Sequence, residues 1–283
     1  MLIFKSLIFI NIYLVKIAYR KGFEDENTGD LFFETLRFIV AKQPKVVFLE
    51  NVKNLVGHDN GKTFSIIKES LEKNGYHIKY KVLNAKDYGN IPQNRERIYI
   101  VGFKDENAYH NFEFPFPEKL TRTINDMIEK KVNDNIFYYT KTKNKFYDIL
   151  ERDMTKEDTI YQWRRKYVRE NKSNVCPTLT ANMGTGGHNV PLIKTKEGIR
   201  KLTPRECFNF QGYPKSYKLP DLANSHLYKQ AGNSVVVPVI NSIAEKILDA
   251  LNCSENKFES EVLKYLKKMN ITSFDEFISL INR

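Results

Sequence analysis

Three separated segments of the chain carry side chains that suit proton transfer and the binding of polar groups. Glu50 ends a short apolar run, Arg95 and Arg97 lead into another, and Asn233 with Ser234 precedes a late apolar pattern. A carboxyl in a dry cleft at the end of a strand has a raised pKa and can hold or donate a proton at neutral pH. A side-chain amide beside helix amides can bind the polar groups of a ligand.

Each segment also has an ordinary structural interpretation when it is taken alone. Glu50 is then a surface carboxylate at a strand end, the two arginines belong to a solvated charge run, and Asn233 is a helix N-cap. The order of the segments and the elements around them favour the chemical interpretation.

The apolar pattern around these segments predicts alternating helices and strands. Residues 30–42 repeat apolar side chains at helical spacing after Asp30, a candidate N-cap. Residues 46–49 form a continuous apolar run, typical of a strand buried on both faces of a parallel sheet. The elements expected next are a helix over 63–75 and strands over 77–83 and 97–103.

This alternation is typical of a doubly wound α/β sheet, in which ligands bind at the carboxyl ends of the strands. Glu50 is placed at such an end. The side chains expected on inner faces are Phe64, Ile67 and Leu71 of the second helix and Ile78, Tyr80 and Val82 of the strand that follows it.

The second half of the chain is less regular. From about Phe114, prolines, scattered charges and weak periodicity predict a domain boundary and an irregular second domain. Residues 176–188 are polar and rich in glycine, which suits close approach of the backbone to a ligand. A capping box at Ser273 and Glu276 predicts a small helical tail. A late helix is expected after Asn233, with a buried face formed by Val236, Ile240, Ile243, Ile247 and Leu251.

Composition limits the class of protein. Lysine and arginine outnumber aspartate and glutamate by 45 to 34, and the net charge of +11 favours a polyanionic partner such as nucleic acid. The three cysteines have neither a disulfide framework nor metal-ligand spacing, which indicates a reducing, cytoplasmic setting without zinc. The apolar segment 1–17 is interrupted by Lys5 and Lys16 and is too short to span a bilayer, so no membrane partner is expected.

Taken together, the segments resemble the signature blocks of bacterial cytosine-5 DNA methyltransferases. Glu50-Asn51-Val52, Gln93-Asn94-Arg95-Glu96-Arg97 and Gly232-Asn233-Ser234-Val235 stand in the order of the family. Residues 200–214 are similar to its next-to-last block, and the resemblance covers residues 18–251.

The resemblance implies the remnant of a doubly wound S-adenosylmethionine-dependent methyltransferase sheet and a smaller, irregular target recognition domain. The parts expected are an atypical apolar start (1–17), a partial catalytic domain (18–114), the target recognition domain (115–221), a returning helix of the catalytic domain (222–252) and a helical tail (253–283).

The chemistry implied by the family begins with a cytosine that has left the duplex. A cysteine thiolate adds to C6, and a methyl group then passes from S-adenosylmethionine to C5. By resemblance, Glu50 holds or protonates cytosine N3, Arg97 steadies the O2 edge, and Arg95 supports the same pocket.

The resemblance also implies residues for the cofactor and for double-stranded DNA. Asn233 and Ser234 match positions that line the S-adenosylmethionine pocket, and Leu31 and Asn51 are candidates for its adenosine end. In the recognition region, cations alternate with Tyr161, Trp163 and Tyr167, as phosphate contact and base stacking require, and a Thr-Leu pair follows. The candidate DNA contacts are Arg164, Arg165, Arg169, Lys172, Thr178, Leu179 and Thr180.

Two blocks of the family have no counterpart, the glycine-rich cofactor loop and the Pro-Cys loop that carries the nucleophile. Cys176 and Cys207 do not replace the nucleophile, since neither follows a proline. The expectation is therefore an amino-terminally truncated methyltransferase of a restriction-modification system, inactive alone. It works with a separate amino-terminal polypeptide, or it is a DNA-binding remnant without catalysis, or it is an unfolded fragment of a broken gene.

Overall fold

A computed structural model describes residues 7–11, 30–185 and 188–268 of the chain. The helices are α1 (Asp30–Lys42), α2 (Lys62–Lys73), α3 (Ala85–Tyr88), α4 (Glu106–Asn111), α5 (Tyr147–Asp153), α6 (Pro204–Asn209), α7 (Asn224–Asn233) and α8 (Val237–Lys268). The strands are β1 (Leu7–Asn11), β2 (Val46–Val52), β3 (His77–Asn84), β4 (Gln93–Asn94), β5 (Glu96–Phe103), β6 (Tyr161–Trp163), β7 (Val168–Glu170), β8 (Cys176–Pro177), β9 (Pro191–Thr195) and β10 (Gly198–Lys201). The mixture of helices and strands confirms the α/β class.

The chain divides into two compact units. The first unit consists of Met1–Val82, Arg97–Pro115 and Ile243–Arg283, and the second consists of Leu83–Glu96 and Phe116–Ser242. The domain ranges expected from the sequence stay a prediction.

The first unit contains a mixed sheet with the strand order β1-β2-β5-β3. β2 pairs in parallel with β1 and antiparallel with β5. Its residues Val46, Val47 and Leu49 are fully buried, as the continuous apolar run predicted, although the sheet is not wholly parallel. β2 also runs three residues beyond the apolar run, through Glu50 and Asn51 to Val52, and the side chains of Glu50 and Asn51 are buried as well.

The helix α2 confirms the predicted inner face, since Phe64, Ile67 and Leu71 are all buried. The strand β3 agrees less well with its expected face. Ile78 is buried, but Tyr80 and Val82 are exposed. β3 is an edge strand of this sheet, so its backbone pairs with a neighbouring strand on one side only.

The second unit is more regular than the sequence predicted. It contains an antiparallel sheet in the order β10-β9-β6-β7 and a separate parallel pair of β4 with β8. Arg200 and Glu206 form a fully buried ion pair with two side-chain contacts of 2.7 Å. The Glu206 carboxylate also accepts hydrogen bonds from the backbone amides of Thr203 and Glu129, so its oxygen atoms are well satisfied.

The late helical pattern contains a break that the sequence analysis missed. Asn233 is the last residue of α7 and Ser234 is its C-cap, so the expectation that Asn233 opens a helix as an N-cap is wrong. Ser234 has an extended ψ of 169°, which ends α7 before α8 begins at Val237. In this turn the Val237 amide donates to the Gln211 carbonyl at 2.9 Å.

The helix α8 continues to Lys268 without interruption at the expected start of the tail. Its buried side chains include Val239, Ile243, Ile247 and Ala250, whereas Ile240 and Leu251 are only partly buried. The capping box expected at residues 273–276 lies outside the described residues. Across 7–11, 30–185 and 188–268, none of the helices is both long and apolar enough to cross a membrane.

Candidate functional site

The acidic and basic residues predicted for base binding meet in the first unit. Glu50 and Arg97 lie near the adjoining ends of β2 and β5, where Val52 is the register partner of Arg97. The Nε atom of Arg97 lies 3.1 Å from Oε1 of Glu50. The exposed fractions of the two side chains are only 13% and 4%, so the ion pair lies in a largely dry place. A carboxylate and a guanidinium therefore lie side by side near the ends of two neighbouring strands.

Two weaker cofactor candidates also belong to the first unit. Asn51 is buried, and its Oδ1 accepts a hydrogen bond from the Val52 amide at 2.7 Å. This bond fixes the side-chain amide against its own backbone. Leu31 lies in α1, and its side chain is outside the described part of the structure.

Arg95 belongs to the second unit, and its guanidinium binds backbone carbonyls there. Nη1 donates to the Leu179 carbonyl at 2.9 Å, and Nη2 donates to Gly232 at 3.2 Å and to Ser234 at 2.7 Å. Arg95 is 3% exposed. The side chain thus brings the predicted DNA segment together with the predicted cofactor segment.

Asn233 is the last residue of α7 and Ser234 opens the turn to α8, and both are half-buried. Their side chains offer an amide with a donor and an acceptor, and a hydroxyl. This donor set fits the polar groups of an S-adenosylmethionine molecule. Because Asn233 ends a helix, its own backbone amide is not one of the free amides of a helix start, and the groups that it offers are those of its side chain.

The basic region forms the hairpin of β6 and β7, with Arg164 and Arg165 in its turn. Arg165, Arg169 and Lys172 are exposed, while Arg164 is half-buried and reaches the His188 carbonyl at 3.5 Å. The hairpin therefore presents several positive charges to solvent.

The aromatic residues of this region do not share one role. Tyr161 is fully buried in a core cluster with Leu150 and Leu192. Trp163 stacks on Phe146 with a centroid distance of 4.7 Å and an interplanar angle of 4°. Tyr167 is 56% exposed, which leaves it best placed for stacking on a base.

The Thr-Leu segment follows β8 in the second unit. Thr178 and Thr180 are half-buried, and the hydroxyl of Thr178 donates to the Asn94 carbonyl at 2.7 Å. The Leu179 side chain is buried in the core with Cys176 and Phe210. In this segment the two threonine side chains are therefore partly accessible, and the leucine side chain is not.

The buried cysteines are poor nucleophiles. Cys176 and Cys207 are fully buried, and burial raises the pKa of each thiol well above its ordinary value. Only the thiolate attacks, so neither residue has the required form at neutral pH. Cys253 is exposed on α8. No group of three or more His, Cys, Asp or Glu side chains that could hold a metal ion occurs among the residues that the structure describes.

The comparison with protein families decides what these residues belong to. A family model for C-5 cytosine-specific DNA methylases matches residues 16–249. The chain belongs to the C-5 cytosine-specific DNA methylase family. Methylases of this family depend on S-adenosylmethionine and act on cytosine in DNA.

Curated relatives of this methylase are type II methyltransferases. It is 74% identical over 236 residues to M.Bsp6I of Bacillus sp. (strain RFL6), an alignment that covers 83% of this chain and 75% of the relative. It is 39% identical to M.HhaI of Haemophilus parahaemolyticus, and this alignment covers 82% of this chain and 72% of the relative.

Solved structures confirm the methyltransferase fold. The Entamoeba histolytica methyltransferase EhMeth matches with a TM-score of 0.65 and 18% identity, covering 87% of this methylase chain and 78% of that chain. Dnmt2 of S. pombe matches with a TM-score of 0.63 and 16% identity, and the match also covers 87% of this chain and 78% of that chain.

Sequence reasoning missed the part that Gln93 plays in this methylase. Gln93 is fully buried, and its side chain contacts Phe210, Gln211 and Leu179. A usable signal was its spacing of two residues from Arg95, which places both side chains on one side of an extended segment.

Proposed function

We propose that this chain supplies the base-binding and DNA-reading part of a cytosine-5 DNA methyltransferase of a restriction-modification system, acting in the cytoplasm on double-stranded DNA. The observation that carries the proposal is the buried pair of Glu50 and Arg97 at 3.1 Å. A carboxyl and a guanidinium side by side match the N3 and O2 edge of a cytosine that has left the duplex.

Each residue of the pair has its own task. Glu50 holds or donates the proton at N3, which withdraws electron density from the ring and makes C6 open to attack. Arg97 donates to O2 and keeps the base in register with Glu50. The low exposure of both side chains excludes water that would compete for these contacts.

S-adenosylmethionine supplies the methyl group when it is bound. In our proposal Asn233 and Ser234 hold its polar groups from the turn between α7 and α8, while Asn51 and Leu31 contribute near its adenosine. The fit of Asn233 and Ser234 rests on the amide and the hydroxyl that they carry in a half-buried turn.

DNA contacts come from the second unit. The exposed hairpin cations Arg165 and Arg169 neutralise phosphates together with Lys172, which follows β7, and Arg164 contributes from the turn of the hairpin. Thr178 and Thr180 provide hydroxyl groups on a segment whose middle residue is anchored in the core.

The nucleophile is the component that this chain does not provide. None of its three cysteines follows a proline, and two of them are buried with raised pKa values. In our proposal the Pro-Cys loop and the glycine-rich loop come from residues outside this sequence, and a separate amino-terminal polypeptide is the source that we test.

Methyl transfer from labelled S-adenosylmethionine to duplex DNA tests both parts of the proposal. The purified chain alone should give no incorporation, and addition of a family fragment that carries the two missing loops should restore it. Incorporation by the chain alone would remove the need for a second polypeptide. Binding of DNA without incorporation in either mixture would favour a DNA-binding remnant.

A further inference from the structure

Gln93 and Arg95 hold the two backbone polar groups of a single residue, Leu179. Oε1 of Gln93 accepts the Leu179 N–H at 3.1 Å, and Nη1 of Arg95 donates to the Leu179 carbonyl at 2.9 Å. Both side chains are buried. Loss of either one would leave a buried backbone group without that partner, which costs far more than loss of an exposed hydrogen bond.

Backbone contacts strengthen the same junction. β4 and β8 pair in parallel, with Gln93 opposite Cys176 and Asn94 opposite Pro177. This pairing is very short. Three hydrogen bonds made by side chains extend this pairing. One runs from the Thr178 hydroxyl to the Asn94 carbonyl, and two join Gln93 and Arg95 to the Leu179 backbone. The conformation of residues 178–180 therefore depends on Gln93 and Arg95 more than on a regular ladder.

The same arginine reaches the carboxyl end of α7 and its C-cap. Nη2 of Arg95 donates to the carbonyls of Gly232 and Ser234. Gly232 also approaches the Thr180 backbone so closely that an added Cβ would lie 2.3 Å from the Thr180 carbonyl carbon. Residues 178–180 and residues 232–234 are thus closely packed against each other, with no room for a side chain at Gly232.

We propose that Gln93 and Arg95 are positioning residues that hold Thr178 and Thr180 in the conformation that binds DNA, and that Arg95 ties this segment to the turn at Asn233. The inference rests on the proposed DNA contact of residues 178–180. A segment ordered in advance loses less conformational entropy on binding, so affinity for DNA depends on two side chains that touch no DNA.

Amide hydrogen exchange tests the positioning directly in the full chain. In Arg95→Met and Gln93→Met, exchange at the Leu179 amide should become about tenfold faster or more, because each change removes a buried partner of Leu179. Arg95→Lys keeps the charge and part of the donor capacity, so it should give an intermediate rate. The matched control is Arg152→Met, which removes an exposed arginine of the same unit and should leave exchange unchanged.

The salt dependence of DNA binding provides a second measurement, which distinguishes positioning by Arg95 from direct contact with a phosphate. Affinity for a labelled duplex should fall about tenfold in Arg95→Met at every salt concentration between 50 and 200 mM. The slope of log affinity against log salt should stay the same, because no phosphate contact is lost. A slope reduced by about one would show that Arg95 contacts a phosphate and would overturn the positioning role.

The remaining outcomes are also decisive. Unchanged exchange at Leu179 would overturn the proposal, and so would faster exchange spread evenly over the second unit. If Arg95→Met does not fold, Arg95→Lys and Gln93→Met carry the same comparison. If the unchanged chain binds no DNA, the proposed function of this segment fails, while the exchange rates still decide whether the two residues position it.

Discussion

Arg97 neutralises Glu50 across two antiparallel strands, with 3.1 Å between Nε and Oε1. The pair is almost excluded from water, so each charge depends on the other for its solvation. A cytosine bound here as we propose would exchange contacts with both side chains, and this exchange would link recognition of the base to the Glu50 carboxyl.

The change Glu50→Gln keeps the volume of the side chain and removes its acid–base function. With an amino-terminal fragment supplied, we expect methyl transfer to fall by about a hundredfold or more, as is usual for loss of a general acid or base. DNA affinity should change by less than about threefold. Labelled methyl incorporation and duplex titration measure the two effects separately.

The control for this change is Glu113→Gln, which alters an exposed carboxylate paired with Lys79 in the same unit. It should leave methyl transfer unchanged. Equal loss of DNA binding and methyl transfer in Glu50→Gln would indicate that Glu50 has a structural role.

The hairpin cations should make DNA binding strongly dependent on salt. Each phosphate contact releases counterions, so we expect affinity to fall about tenfold or more between 50 and 200 mM salt. Neutralising Arg165 and Arg169 together should lower both the affinity and the steepness of the salt dependence. A salt titration in which both changes leave binding untouched would exclude the hairpin from the DNA interface.

The ion pair of Arg200 and Glu206 should contribute strongly to the stability of the second unit. Arg200→Met leaves a buried carboxylate without its bidentate partner, and a broken buried pair costs about 3–5 kcal/mol. Thermal unfolding followed by circular dichroism measures the loss. Arg152→Met, which removes an exposed arginine, should change stability by less than about 0.5 kcal/mol. Equal effects of both changes would contradict this interpretation.

The contact at Gly232 should tolerate no side chain. In Gly232→Ala the new Cβ meets the Thr180 backbone, so neighbouring segments must shift, and we expect a loss of about 1–3 kcal/mol in the free energy of unfolding. Gly57→Ala is a suitable control, because nothing lies within 4 Å of a Cβ at that position. A Gly232→Ala variant as stable as the control would refute the close approach.

Burial of the thiols and phenols should make the fold sensitive to alkali. The pKa of Tyr76 rises from 10.0 to about 12, and the pKa values of Cys176 and Cys207 are raised by burial as well. A raised folded-state pKa stabilises the fold below the ordinary pKa and loses this effect as the pH increases.

The free energy of unfolding should therefore decrease from about pH 9 upward. Denaturant titrations at several pH values measure this decrease. In the native chain near pH 8, a thiol reagent should label Cys253 and leave the two buried cysteines unmodified. Rapid labelling of Cys176 would contradict its burial.

Local sequence patterns predicted the first unit well because its helices and strands have short, regular patterns of apolar residues. The apolar spacing of α2 identified Phe64, Ile67 and Leu71, and the continuous run identified β2. Periodicity could not identify β3 as an edge strand, since edge position depends on strands distant in the sequence.

The site was predicted in part, but by a different route. The proximity of Glu50 and Arg97 was expected only through the family resemblance, and the structure brings them together. The end of α7 at Asn233 was missed because two helices separated by three residues give one nearly continuous pattern. Hydrogen bonds between residues far apart in the sequence, such as the bond from Gln93 to the Phe210 carbonyl, produce no local sequence pattern that could predict them.

The turn of the β6 and β7 hairpin contains a conformation that is unfavourable for the residue it holds. Arg165 has a φ of 69°, in the left-handed region, where a residue other than glycine loses about 1–2 kcal/mol. Glycine would adopt this conformation without that loss but would present no guanidinium. In the proposed DNA interface, the residue that would make this turn most stable is therefore not the residue that supplies its positive charge.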